Sequence, residues 1–134
     1  MVLQDCYCGN CGKMYISLEE KWCELCQINN FKKKFVNWSS GNEKIDEFIQ
    51  EMQLKVDKWN YIIVEWIPYN QFNNIKEIGK DGFNTVYSAI WTDGPLDYNK
   101  YYKKYTRKLV DKEVALKRLY NSQNITNEFL NEEV

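Results

Sequence analysis

Apolar residues follow two different periods along this chain. Between residues 39 and 56 they recur at helical spacing. Ile45, Phe48, Ile49, Met52 and Val56 lie at i, i+3, i+4, i+7 and i+11, one stripe of an amphipathic helix. Ser39, Ser40 and Asn42 offer N-caps, and Glu43 follows Ser40 at the spacing of a capping box. From residue 61 onward the runs are short and rich in β-branched and aromatic side chains. Residues 61–67 predict a strand closed by Pro68, and residues 75–78, 86–91 and 113–119 predict three more. A helix-like stretch ending near Glu132 follows the last of them. These elements predict an α+β chain in three parts: residues 1–30, a linker and helix over 31–60, and a sheet-bearing part over 61–134.

Cysteine usage defines the first part. All five cysteines lie before residue 27. Cys8-Gly9-Asn10-Cys11 and Cys23-Glu24-Leu25-Cys26 are two C-x-x-C pairs. Each pair can chelate through one tight turn, with Gly9 and Gly12 supplying backbone freedom. Four thiolates at this spacing suit a tetrahedral Zn²⁺ in a zinc-ribbon-like segment. So short a segment buries little, so the metal would supply most of its folding free energy. Two disulfides in a secreted domain are the alternative. No secretory leader is visible and no cysteine occurs after Cys26, which favours zinc. Cys6 can compete with Cys8 as a ligand. A closed four-sulfur site is structural rather than catalytic.

Charge and composition narrow the partners. The net charge of −1 implies no polyanion and no anionic membrane. Lys32-Lys33-Lys34, beside Phe31 and Phe35, has the make-up of a nucleic-acid contact. In a near-neutral chain it reads instead as a solvated basic patch, so no nucleic-acid partner is expected. Aromatic residues make up 16%, which predicts packed structure. No apolar run approaches about 18 residues, so no membrane span is expected and the location is read as cytoplasmic. Between Trp91 and Glu113 the chain is polar and tyrosine-rich, with Asp93-Gly94-Pro95 as a turn signal. It predicts a long loop carrying Tyr98, Tyr101, Tyr102 and Tyr105 as surface tyrosines.

The chemistry-bearing stretch is Ile78-Gly79-Lys80-Asp81-Gly82-Phe83-Asn84-Thr85-Val86, a glycine turn between two predicted strands. It is not a Walker phosphate loop, because no G-x-x-x-x-G-K-[ST] occurs. The order strand, glycine turn, strand, lysine strand, glutamate helix resembles the small lobe of a protein kinase. That family's pattern is G-x-G-x-x-G-x-V followed by V-A-I-K. Gly79 matches the first glycine, Val86 the valine, and Val114-Ala115-Leu116-Lys117 the lysine strand. Asp81 stands at the second glycine position with Gly82 beside it, and Asn84 stands at the third. Asp81 brings a negative charge toward any polyphosphate. Upstream, Trp38-Ser39-Ser40-Gly41-Asn42, Ile49-Gln50-Glu51-Met52-Gln53-Leu54 and Glu65-Trp66-Ile67-Pro68-Tyr69 resemble fungal kinase-like proteins with an N-terminal cysteine ribbon.

The resemblance implies ATP with Mg²⁺ as cofactor and a protein hydroxyl as acceptor. It implies Ile78, Gly79, Gly82, Val86 and Ala115 around the nucleotide and Lys117 on its α- and β-phosphates. Glu132 would orient that lysine, with Glu128 and Glu133 as competing candidates. The chain has no histidine, and neither an H-R-D catalytic loop nor a D-F-G metal site occurs. The expectation is therefore an N-terminal kinase portion ending inside the αC helix, with no catalytic residue and no phosphotransfer of its own. The alternative is a non-catalytic, zinc-dependent interaction module with a vestigial lobe, which Asp81 and Asn84 favour.

Overall fold

The computed structural model describes residues 6–82 and 84–118. The chain is α+β and divides into two compact units. Unit 1 takes Met1–Trp66 and Leu96–Arg107; unit 2 takes Ile67–Pro95 and Lys108–Val134. The sequence groups residues 96–107 with the sheet, whereas the structure packs them with the cysteines and helices. The helix-like stretch after Arg118, with Glu128, Glu132 and Glu133, lies outside the described residues.

Unit 1 begins with two short hairpin-like bridges, Tyr7 to Met14 and Ser17 to Trp22. Helix α1, Glu24–Lys34, follows directly. Its inward face is Gln27, Ile28 and Phe31, continued by Phe35 just past its end, and its last turn is Lys32, Lys33 and Lys34. Three ammonium groups there complement the negative end of the helix dipole. The basic patch thus closes a helix.

Helix α2, Glu43–Leu54, matches the predicted amphipathic stripe. Its cap is Asn42, whose side chain accepts from the N–H of Lys44 and Ile45 at 2.9 and 3.2 Å. Ser39 and Ser40 do not cap. Their hydroxyls donate to the Asp46 carboxylate, and the Ser40 N–H joins them at 2.8 Å. These bonds hold the Asp46 carboxyl below its usual range. Val56, just past the helix, is fully buried against Trp22 and Phe31.

Residues 61–68 form no strand, contrary to the prediction. Val64 spends its carbonyl on the Gln53 amide at 2.8 Å, a side-chain donor in place of a neighbouring strand. Tyr61 and Ile63 meet the same core as Val56. The apolar run therefore reflects burial under the helices rather than a ladder.

The predicted loop after Trp91 contains a β-hairpin, β3 (Asp97–Asn99) and β4 (Lys104–Thr106). Asn99 ties its turn by accepting from the N–H of Tyr101 and Tyr102. Tyr98 and Tyr105 are not surface tyrosines. Their rings pack edge to face at 5.5 Å and join the Trp22–Phe31–Val56 core. Only Tyr101 and Tyr102 of the four are exposed.

Unit 2 is a three-stranded antiparallel sheet, β1 (Phe72–Asp81), β2 (Asn84–Trp91) and β5 (Lys112–Arg118), with β2 in the middle. The central strand carries the buried pair Ala89 and Trp91, as a strand paired on both sides should. Two bulges interrupt β1. One contains Asn74, at φ +52°, a left-handed conformation that asparagine tolerates. The other leaves Ile78 as the extra residue between the Glu77–Tyr87 and Gly79–Val86 pairs.

Candidate metal centre and lysine face

The four paired cysteines converge in unit 1. The Sγ atoms of Cys8, Cys11, Cys23 and Cys26 all lie within 4.8 Å of one another. Cys8 is 3.6 Å from Cys26, and Cys11 is 3.4 Å from Cys23. These distances exclude disulfides, whose sulfurs sit about 2.0 Å apart. They approach the edge of about 3.8 Å that four sulfurs adopt around a zinc ion at about 2.3 Å. The group could therefore hold a metal ion such as zinc. Cys6 is outside it.

Local structure explains the convergence. The first pair sits in a knuckle closed by Gly12 N–H to Cys8 C=O at 2.8 Å and Cys8 N–H to Lys13 C=O at 2.7 Å. Gly12 has φ +78°, so this turn does require glycine; Gly9 is not left-handed. The second pair is not on a hairpin. Cys23 is the N-cap of α1, and Cys26 is in its first turn. The positive end of the helix therefore points toward the sulfurs, which favours thiolates.

Surroundings tune the thiols differently. Burial pushes the Cys23 thiol up to about 12 and raises Cys26 as well. Burial pushes Cys8 up as well, but the backbone N–H groups of Cys11 and Asn10 and the side chains of Cys26 and Cys11 together outweigh it and hold that thiol at about 7. Asn10 further donates its side-chain amide to Cys26 Sγ at 3.3 Å. It is a sulfur-supporting residue that no sequence pattern singles out. Tyr15 shares the small buried cluster of Cys8 and Cys23.

Unit 2 places the residues implied by the kinase resemblance. Gly79 stands opposite Val86, and Val86 stands opposite Lys117, one row across three strands. Ala115 stands opposite Ser88, two residues along. Strand alternation puts Val86, Ser88, Ala115 and Lys117 on one face. Tyr87, Ala89 and Trp91 occupy the other face with Val114 and Leu116, and that face is the better buried. Ile78 is exposed at its bulge.

The glycine turn is tighter than the sequence suggests. Pairing continues to Asp81 and Asn84, so only Gly82 and Phe83 separate the strands. Gly82 has φ +62°, the conformation a two-residue hairpin loop needs. Gly79 is ordinary strand backbone with open space where a Cβ would stand. Lys117 Nζ donates to Asp81 Oδ2 at 2.6 Å. That ammonium lowers the Asp81 carboxyl below its usual range. Both partners remain solvent-accessible.

No helix among the described residues is long and apolar enough to cross a membrane. Comparison with protein-family models, curated proteins and solved structures finds no match to this chain.

Proposed function

We propose that these residues are the N-terminal part of a protein kinase: a zinc-stapled helical unit followed by a small lobe that binds ATP. The row of Gly79, Val86 and Lys117 across β1, β2 and β5 carries this reading. It brings the first loop glycine, the valine and the lysine onto neighbouring strands, as nucleotide binding by that family's lobe requires. On this reading Val86 and Ala115 contact the adenine and Ile78 lies at the nucleotide. Gly79 and Gly82 let the loop cover the phosphates, and Lys117 holds the α- and β-phosphates. Glu132 is the proposed orienting carboxylate. The reaction is transfer of the ATP γ-phosphoryl group to a protein hydroxyl, in the cytoplasm, with the base and metal ligands supplied outside these residues. Zinc is the proposed ion of the cysteine centre, because four thiolates in a closed tetrahedron are its preferred structural set.

The Asp81–Lys117 ion pair favours a second reading, a non-catalytic interaction module with a vestigial lobe. The lysine that should meet phosphate is occupied by a carboxylate of the loop itself. A Mg-ATP titration of the metal-loaded chain, followed by NMR at the Val86 and Ala115 methyls, separates the two. Saturable shifts that strengthen in Asp81→Gly support the kinase lobe. No shift in either protein supports the module.

A further inference from the structure

We propose that unit 1 carries a docking pocket for an acidic peptide segment of a protein partner, anchored by an aromatic or aliphatic side chain. This inference is independent of the kinase reading. A concavity of about 760 Å³ opens in unit 1, within the range that holds small ligands and peptide anchors. Lys33 and Lys34 at the end of α1, Lys104 on β4, and Trp38 and Trp66 line it.

Charge points to an anion. Arg107 and Glu65 also line the pocket, but they satisfy each other through two hydrogen bonds of 3.1 and 2.5 Å. Lys33, Lys34 and Lys104 have no carboxylate within 4.0 Å among the described residues. Three lysines without a carboxylate partner thus line one concavity, the Lys104 ammonium lying 5.8 Å over the Tyr102 ring, although unit 1 holds both signs in near balance. Thr106, on the same wall, keeps a buried hydroxyl with no hydrogen-bond partner among the described residues. Such a group needs a ligand atom or a water.

Chemistry favours peptide over nucleic acid. A single-stranded nucleic acid wants a groove that tracks its backbone and free rings for stacking. Here the site is one concavity rather than a groove, and the Glu65 carboxylate stands in its wall. Lysines act as point charges that accept carboxylates in many geometries. Trp38 and Trp66 offer flat apolar contact for an anchor residue. Gln27 and Gln53, both buried, present amides pinned by bonds to the Lys103 and Val64 carbonyls, groups suited to a peptide backbone.

The test titrates the metal-loaded chain with a capped peptide of glutamates around one phenylalanine, reading tryptophan fluorescence at low salt. The same peptide with glutamines for glutamates, one with alanine for phenylalanine, and oligothymidine are the comparison probes. Saturable binding is expected that falls about tenfold or more in the double variant Lys33→Glu, Lys104→Glu, because reversed charges repel the peptide. Lys44→Glu, on the exposed side of α2, should leave it unchanged. Circular dichroism and metal content, equal in all variants, exclude misfolding as the cause. The proposal is overturned by no saturable binding, by equal binding of the glutamine peptide, by equal loss in Lys44→Glu, or by tighter binding of oligothymidine.

Discussion

The ammonium of Lys117 on β5 meets the carboxylate of Asp81, at the tip of the β1–β2 hairpin, at 2.6 Å. A phosphate seeking Lys117 must displace that carboxylate or bind beside it, against its charge. Asp81→Gly should therefore raise Mg-ATP affinity several-fold, while Asp81→Glu should not. Because both side chains are exposed, the melting temperature should barely move in either variant. Isothermal titration and a thermal melt check the two halves of this prediction.

Removing the metal should unfold unit 1 and spare the sheet of unit 2. Structural zinc sites in small domains are worth about 10–16 kcal/mol of binding free energy, and folding draws on it. A strong chelator should erase the NMR signals of Trp22 and Phe31 while those of Ala89 and Trp91 persist. Cys23→Ser should reproduce the effect and lower metal content to well below one ion per chain. Acidification should act in the same direction, because thiolates must be deprotonated to bind.

The β3–β4 hairpin should be gripped chiefly by Tyr98. Its hydroxyl donates toward the Glu20 and Lys21 carbonyls at 3.1 and 3.0 Å. Tyr98→Phe should cost about 1–3 kcal/mol, because carbonyls lose their partner. Denaturant titration of unit 1 measures it.

Alkaline pH should weaken the same contacts. Burial raises the Tyr98 hydroxyl to about 12, and burial raises Tyr105 too. An unfolded tyrosine titrates near about 10. The folded chain thus keeps protons that the unfolded chain releases. The stability from these groups is complete below about pH 10 and is lost as pH rises through about 12. Phenolate absorbance should show two late-titrating tyrosines, and Tyr98→Phe should remove one of them.

Gly94 should tolerate no side chain. It has φ +71°, and an added Cβ would lie 2.0 Å from the Leu109 carbonyl oxygen. Gly94→Ala should cost at least about 1–3 kcal/mol from backbone conformation alone, before the clash. Thermal melting of unit 2 checks it.

What the sequence revealed follows from how local each signal is. Helix α2 was legible because Ile45, Phe48, Ile49 and Met52 keep the helical period and Asn42 caps it within three residues. The cysteine centre was legible because both C-x-x-C pairs act through adjacent residues. Helix α1 was not. Its buried face opens on the polar Gln27, and three lysines follow Phe31, so its stripe is short. The β3–β4 hairpin was hidden for another reason. Tyr98 and Tyr105 are half-buried against the core of Trp22 and Phe31, more than sixty residues away in the chain, and no local pattern announces that. Residues 61–67 misled because β-branched composition signals burial as readily as it signals a strand. The Lys117–Asp81 pair joins residues 36 apart, and only the hairpin register brings them together.

The most direct test of the kinase reading uses the native protein, captured from its source with an antibody to residues 1–60 and assayed for γ-phosphoryl transfer from ATP. The account predicts a species well above the 16.1 kDa of these residues, with turnover abolished by Lys117→Met. A species near 16.1 kDa without turnover, or turnover that survives Lys117→Met, would contradict it.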